Sequence, residues 1–581
     1  MERLVRAAPG PPLGSDAPRR RPVGRIGGLV GPPGHGALTA LARALGPGAQ
    51  VLSGEPAATG GLVADWDACW LDGEPVLDLD QWRSLVSSGR LGGVEGAFVA
   101  AWLVPGDGLR LARDGVGERT LYYAPLPGGL VFASSVRALL ATGLVPRTLH
   151  LPAVAAYLSY AYLPGRETLV AGVWELLPGE VVHFHEGTIT RRRLWELPAE
   201  GIGEAPADEE GPRRTLRARL ETAVRRRLPP GEAVGATLSG GIDSSLVVAL
   251  ARRLHDKPVR TWSVSFGPGY LNELSFSSLV AEHCRTEHRI VELSPAVVLR
   301  HLDEAIALLG KPNGDPLVVP NALLFREAAS EVGVVLNGEG GDPCFGGPKN
   351  LPMLLVELLG DGANPSPEDP YARERSYLRS HQKCYDDLEV MLAPEIRAAV
   401  AGDRLEASLA PVLADARYRN FVTRLMAVNV VFKGGHHILP KVDAVSAPFG
   451  VLPRSPLFDR AVVETAFAIP PQLKLRGSVE KYLLKEAVRD LLPAAILERP
   501  KSGMLVPVEG WFQGPLLGEA RARLLDRPTL RGLVERDYLE RLLAGRLRGL
   551  RPRRGAKIWL LVTLEAWLRG VLHGPPPAPA C

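Results

Sequence analysis

The chain has 581 residues, 46% of them hydrophobic and 23% charged, with a formal net charge of +4. This is globular composition, long enough for two or three domains, and the small net charge gives no whole-chain signature of nucleic-acid binding. No apolar run reaches transmembrane length. The five cysteines, Cys69, Cys284, Cys344, Cys384 and Cys581, include no CxxC pair, which argues against a disulfide framework or a structural zinc site and for a reducing, cytoplasmic setting.

Residues 1–22 carry arginines but no apolar h-region, so they read as a disordered Pro/Gly/Arg tail and not as a signal peptide. A first domain is expected over 23–199. There LRLARD, TLYYAP, GLVFASS and VVHFHEG are strand-like runs ended by Gly, Pro or Asp, and VRALLATG is a short helix closed by Gly143. The stretch 200–214, rich in Glu, Pro and Gly, reads as a linker, and a second domain is expected over 215–572. It opens on a helix with Leu216, Leu220, Val224 and Leu228 on one face, while Arg217, Arg219, Arg225, Arg226 and Arg227 are expected on a solvated face. AVGATL, SLVVALARRL, VRTWSVSF, FREAASEV and VGVVLNG then alternate strand and helix, which implies a parallel sheet covered on both faces. From about 380 to 572 the pattern is mostly helical, and 573–581 is a Pro-rich tail.

SGGIDSS, residues 239–245, follows a strand and opens a helix. Gly240 and Gly241 permit a tight turn, Ser239, Ser244 and Ser245 offer hydroxyls, and the helix N-terminus offers free N–H groups, so a phosphate fits there. Asp243 would repel that phosphate unless a cation lies between them. A second acidic loop, VVLNGEGGDPCFGG (334–347), places Glu339 and Asp342 among Gly338, Gly340, Gly341, Gly346 and Gly347. Ligands of open α/β sheets sit beyond the carboxyl ends of strands; if the two strands are neighbours, Asp243 and Asp342 can bracket Mg²⁺ on a polyphosphate. There is no GxxxxGK[ST], so this is not a Walker-type site. The adjacent pair His436–His437 in KGGHHILP has no further ligands nearby in sequence and is not read as a zinc site.

SGGxDS in this context resembles the pyrophosphate loop of ATP pyrophosphatases, and nearly the whole chain resembles the asparagine synthetase family. GEGGDPCFGG resembles that family's GDGADELFGG loop. LPKVDAVS with LPRSPLFDRAVVETAFAIPPQLKLRG resembles its stretch ending in R-V-P-F-L-D, and VEKYLLKEAVRDLLPAAILERPKSGM resembles its lysine-bearing segment. GAFVAAW, LARDGVGERTLYYA, LVFASSVRALL and LLPGEVV resemble its glutaminase half. The resemblance implies an α+β N-terminal glutaminase-like domain, an αββα sandwich of the Ntn-hydrolase type. It also implies an α/β C-terminal ATP-pyrophosphatase domain of the adenine nucleotide alpha hydrolase-like type, with a parallel sheet and added helices. ATP contacts are implied at Leu238, Ser239, Gly240, Gly241, Asp243, Ser244, Ser245, Val264, Ser265 and Gly338, with Mg²⁺ on Asp243 and Asp342. Lys481 is implied as the residue that stabilises leaving pyrophosphate, with Lys485 the weaker candidate. Glu339 is either a general base or another contact of the metal loop.

The glutaminase chemistry itself departs from the family. Where the family has a catalytic cysteine at the mature N-terminus within C-G-I-A-G, this chain has GRIGG, with Gly24 and Arg25 at the Cys and Gly positions. The family's N-G-E-I-Y-N segment is not found, LDGEP (71–75) standing near its expected place, and Cys69 in ADWDACWL reads as a buried small residue. The expectation is therefore an amide ligase that adenylates a carboxylate and takes its amine from somewhere other than glutamine. The resemblance points most to a lasso-peptide macrolactam cyclase acting on a leader-cleaved ribosomal core peptide, alongside a leader-binding protein and a leader peptidase, with neither nucleic acid nor membrane as partner. A β-lactam synthetase-like or ammonia-dependent asparagine synthetase activity stays open, as does a peptide-binding pseudoenzyme. Sulfur transfer to tRNA is disfavoured by the lack of paired cysteines and of a basic RNA-binding domain.

Overall fold

The computed structural model describes residues 2–6, 25–31, 35–54, 61–201, 208–270, 272–347, 369–402, 404–499, 505–547 and 553–574. The strands run in chain order as β1 (Glu2–Arg6), β2 (Ile26–Val30), β3 (Gln50–Gly54), β4 (Leu62–Leu71), β5 (Glu74–Pro75), β6 (Glu95–Val104), β7 (Gly108–Arg113), β8 (Tyr122–Leu126), β9 (Gly129–Ala133), β10 (Trp174–Glu175), β11 (Glu180–His185), β12 (Thr188–Arg193), β13 (Val234–Thr237), β14 (Val259–Ser265), β15 (Glu287–Glu292), β16 (Val334–Leu336) and β17 (Leu452–Arg454).

Strands β2 to β12 build the N-terminal domain as two sheets, ordered β10–β8–β9–β2–β3 and β12–β11–β7–β6–β4–β5. The strand period of two decides what each face touches. On β6, Val99, Ala101 and Leu103 meet Ile26, Val30 and Phe132 of the other sheet, while Phe98, Ala100 and Trp102 turn outward onto Trp82 and Leu85. Those two lie on the helix Leu79–Ser88, which Asp78 and Gln81 start with a reciprocal capping box. The other outer face is covered by the helices His35–Leu45 and Val136–Ala141. The result is helix, sheet, sheet, helix, the αββα sandwich that the resemblance implies.

The C-terminal domain carries a fully parallel sheet in the order β1–β15–β14–β13–β16–β17. Central β16 is apolar on both sides. Val334 and Leu336 pack toward the helices Glu210–Arg225 and Ile242–Leu254, whereas Val335 packs toward Val318–Ala329. The chain moves from β13 outward to β14 and β15, then returns to β16 on the other side of β13. That reversal opens a crevice at the carboxyl ends of β13 and β16.

Three sequence expectations change here. Residues 2–6, assigned to a disordered tail, pair in parallel with β15, whose outer edge offers unpaired backbone groups; residues 7–24 lie outside the described residues. The helix Glu210–Arg225 begins inside the stretch 200–214 read as linker, and residues 202–207 of that stretch are not described. The arginine face is not wholly solvated. Arg227 is only 2% exposed and pairs with Asp459 at 2.5 Å and Glu118 at 3.3 Å, because the chain turns into the domain interface where the helix ends. Arg226 pairs with Glu95 and lies over the Trp70 ring.

The domains are joined by buried charge. Arg454 forks onto both oxygens of Asp67, and Arg119 bridges Asp443 at 3.0 Å and Asp65 at 3.4 Å. Burial, partly offset by Arg227, pushes Glu118 up to about 7 from the ordinary 4.5. The native state therefore keeps this proton at pH values where the unfolded chain has released it, and this group's contribution to stability falls as pH rises through that window. Glu118→Gln removes the effect. The wild-type melting temperature minus that of the variant is expected to decline from about pH 5 to about pH 8; a difference that stays flat across this range refutes the assignment.

Candidate active site

β13 runs one residue past its last assigned position, since the Leu238 N–H still donates to the Trp262 carbonyl at 2.8 Å. The chain then turns at Gly240, whose φ of +80 is left-handed and where a Cβ would lie 2.7 Å from Phe276 and Ser277. Ser244 ties the turn from inside the helix. Its Oγ accepts from the Ser239 N–H at 3.1 Å, donates to the Gly241 carbonyl at 3.2 Å and lies 3.1 Å from Ser239 Oγ. The helix Ile242–Leu254 opens from Gly241 with no side-chain cap on its first N–H groups. A helix start of this kind suits an anionic ligand.

β16 is the hydrogen-bonded neighbour of β13, with Gly235 opposite Val335 and Ala236 opposite Leu336. The loops that follow the two strands therefore touch, and the glycines are the reason they can. A Cβ on Gly341 would lie 2.1 Å from Asp243 Oδ1, one on Gly338 would lie 2.5 Å from the Ser244 nitrogen, and one on Gly347 would lie 2.2 Å from Asp342 Oδ1. Asp342 sits in the short helix Gly341–Phe345, flanked by Gly340 and Gly346 in left-handed conformation.

Lys481 joins the two carboxylates. Its side chain is fully buried, and Nζ lies 2.6 Å from both oxygens of Asp243 and 2.6 Å from Asp342 Oδ1. Its backbone is left-handed, φ +55, at the start of the helix Tyr482–Ala487. A lysine rarely adopts that conformation, and such strain concentrates at functional sites. A cavity beside the loop is lined by Gly241, Ile242, Glu480, Lys481, Lys485, Ile496 and Arg499.

The remaining expected positions divide by access. Gly338 sits against the loop itself. Val264 and Ser265, at the carboxyl end of neighbouring β14, are 6% and 4% exposed, and Ser265 Oγ accepts from the Gly267 N–H. Leu238 is buried, and its carbonyl accepts from Ser263. Ser245 is fully buried, about 100° around the helix axis from Ser244, and its hydroxyl makes no hydrogen bond within the protein. The segment PKSGM (500–504), the end of the lysine-bearing stretch, lies outside the described residues.

Sequence reasoning missed two contributors. Arg499 donates to the Gly240 carbonyl at 3.3 Å, pairs with Glu273 and lies 3.9 Å over the Phe276 ring, so it clasps the turn from outside. Only the tertiary fold brings it there from 259 residues away. Lys441, 2% exposed, pairs with Asp315 at 2.6 Å; burial disfavours its charge, but Asp315 and then Glu339 more than restore it. Glu339, partly buried, thus lies within the field of a buried ammonium. The histidine pair serves packing: burial takes His436 down to about 4 and His437 to about 3, so both are neutral, facing Glu175 and Asp315 respectively. Among the described residues no group of three or more His, Cys, Asp or Glu is placed to hold a metal. The Asp243–Asp342 pair still fits Mg²⁺, which commonly takes one or two carboxylates and completes its shell with water and substrate phosphates. Cys69 is 3% exposed and donates to the Ala97 carbonyl at 3.3 Å, and burial lifts its thiol well above the ordinary range, so it is no nucleophile.

A parallel sheet with a phosphate-type loop and two carboxylates at its switch point, joined to a glutaminase-like sandwich, defines an ATP-using ligase architecture. The family model described as asparagine synthase matches residues 215–569, and the glutamine amidotransferase domain matches 88–195. The chain belongs to the asparagine synthase family and is an ATP-dependent amide ligase. A putative glutamine-hydrolyzing asparagine synthetase of Mycobacterium tuberculosis is 30% identical, over 78% of this chain and 72% of its own length. Asparagine synthetase (glutamine-hydrolyzing) 1 of Bacillus subtilis is 24% identical, over 78% of this chain and 74% of its own. Carboxyethyl-arginine beta-lactam-synthase of Streptomyces clavuligerus is 27% identical, over 71% and 64% respectively. Among the described residues no helix is long and apolar enough to cross a membrane.

Proposed function

We propose that the chain closes a macrolactam in a ribosomal core peptide, joining the peptide's N-terminal amine to an Asp or Glu side chain through an acyl-adenylate. The observation that carries this reading is the contrast between the two domains. The ATP-side loops are complete, whereas Arg25 stands in the stretch where the family has its nucleophilic cysteine and pairs with Asp443 at 3.6 Å. Without a glutamine-cleaving thiol, the amine comes from a source other than glutamine, and in this reading it is carried by the substrate itself. That a relative bears the name of a beta-lactam synthase supports intramolecular amide closure within the same architecture.

In this mechanism Ser239, Gly240, Gly241 and Ser244 hold the triphosphate against the helix N-terminus. Asp243 and Asp342 would hold Mg²⁺, whose charge, when bound, offsets that of the phosphates. A substrate carboxylate oxygen bonds to the α-phosphorus as the bond to pyrophosphate breaks, and Lys481 compensates the charge on the leaving group. The neutral amine then attacks the acyl carbon and AMP departs. Glu339, held near Lys441, is the candidate to accept the amine's proton. Folding the peptide into a loop brings amine and acyl carbon together, a proximity worth up to roughly 7–11 kcal/mol.

The test supplies ATP with three kinds of acceptor: synthetic core peptides with a free N-terminus and an internal Asp or Glu, a carboxyethylated amino acid, and aspartate with either ammonia or glutamine. Release of AMP and pyrophosphate that depends on peptide, with loss of one water from the peptide mass, is the expected result. Amide formation from glutamine, or turnover with aspartate and none with peptide, overturns it.

A further inference from the structure

We infer that Lys481 is a built-in stand-in for the metal. It holds Asp243 and Asp342 at cation-binding separation before nucleotide arrives, and it prevents a divalent ion from occupying the pair on its own. This rests on the nucleotide–metal reading of the two loops but not on the identity of the substrate.

Three contacts carry the inference. One ammonium lies 2.6 Å from each oxygen of Asp243 and 2.6 Å from Asp342 Oδ1. Its side chain is fully enclosed, while those of Asp243 and Asp342 are 13% and 20% exposed. Two carboxylates pressed together by touching glycine loops repel each other unless a cation stands between them. Here the cation comes from a third element, which enters at a left-handed residue that aims it into the gap. With the ammonium in place the cluster carries one net negative charge. A lone divalent ion therefore gains little there and must first displace a buried ammonium.

The polyphosphate changes that balance. Its negative charge gives the ammonium a new partner, as the cavity wall shared by Lys481 and Gly241 allows. The carboxylates are then released to the metal that enters with the phosphates. Lys481 acts twice in this scheme: it orders the site when empty and turns to the leaving group when full. The arrangement favours entry of metal and nucleotide together and disfavours a metal-loaded resting enzyme.

Mn²⁺ alone, titrated into the nucleotide-free full-length protein and followed by electron paramagnetic resonance, tests this without any turnover. Wild type is expected to take up Mn²⁺ at this pair only weakly. Lys481→Gln should gain a site at least about tenfold tighter, since a unit charge this close to a divalent ion opposes it strongly. Adding Asp243→Asn to Lys481→Gln should abolish the gain, and Lys481→Arg, which keeps the charge, should behave as wild type. The proposal is overturned if wild type binds Mn²⁺ as tightly as Lys481→Gln, or if Lys481→Gln, folded by circular dichroism, gains nothing. Should Lys481→Gln not fold, the wild type decides: Mn²⁺ uptake unchanged by an added non-hydrolysable ATP analogue sinks the idea, and uptake that requires the analogue sustains it. Loss of peptide cyclisation with this metal behaviour intact would count against the substrate reading alone.

Discussion

Asp243→Asn is expected to lower substrate-dependent release of AMP and pyrophosphate by about a thousandfold or more, the scale of losing a metal-mediated charge contact worth several kcal/mol. Asp243 is the residue that both loops share. It lies in the first turn of the helix behind the serine loop, within van der Waals range of Gly341 from the acidic loop, and bonded through both oxygens to Lys481. The asparagine keeps the shape and loses the charge. Lys481 retains Asp342, so the fold should persist, as circular dichroism and thermal melting would show. A variant that keeps activity within about tenfold of wild type would remove Asp243 from the metal role.

Arg113→Met is expected to destabilise the protein by about 3–5 kcal/mol, the scale of breaking a buried charge network from one side. Measured by thermal melting and soluble yield, that is a large share of a typical stability of about 5–15 kcal/mol. All five guanidinium donors are used. Nε bonds the Arg119 carbonyl at 2.5 Å, Nη1 bonds Glu175 at 2.6 Å and the Leu176 carbonyl at 2.7 Å, and Nη2 bonds the carbonyls of Gly117 at 3.1 Å and Gly435 at 3.0 Å. The last of these belongs to the C-terminal domain, so this one side chain also fastens the sandwich to the ATP domain. Burial alone would raise Glu175, but Lys311, then His436 and Arg113, hold it well below the ordinary range. Removing Arg113 weakens that hold and takes the donor away from four carbonyls and a carboxylate oxygen in the interior. A melting temperature within a degree or two of wild type would contradict this account.

Both predictions fall on residues that stand in quotable motifs, SGGIDSS and LARDGVGERT, yet the reasons for them are tertiary. Local chemistry was legible. Glycines at positive φ, serines at a helix start and two acidic loops after apolar runs announced a phosphate-type crevice, because turn and capping preferences act within a few residues. Turn residues ending the apolar runs of the first half marked its short strands for the same reason, while the sandwich they build was implied only by the family resemblance. The short strands were harder. β15 carries charge at both ends, and β17, with Pro453 at its centre, is only three residues long. Neither has the apolar length that marks a strand in isolation, and both are strands because of their neighbours. The edge pairing of β1 had no local signal either, since an edge strand is defined by the sheet it joins.

The sequence by itself determined the kinds of residue available at each turn: a serine–glycine loop, two carboxylates, a lysine-bearing segment, and arginine in the stretch where the family keeps its thiol. Only the tertiary structure decided that β13 and β16 are neighbours, that Lys481 reaches across 238 residues to bind Asp243 and closes on Asp342 as well, and that Arg499 clasps the loop from outside. The division has a physical origin. Turn and capping preferences are set by residues adjacent in the chain, whereas a strand's partner and a charge's position are decided by whatever the folded core brings within a few ångströms, and no local pattern records that distance.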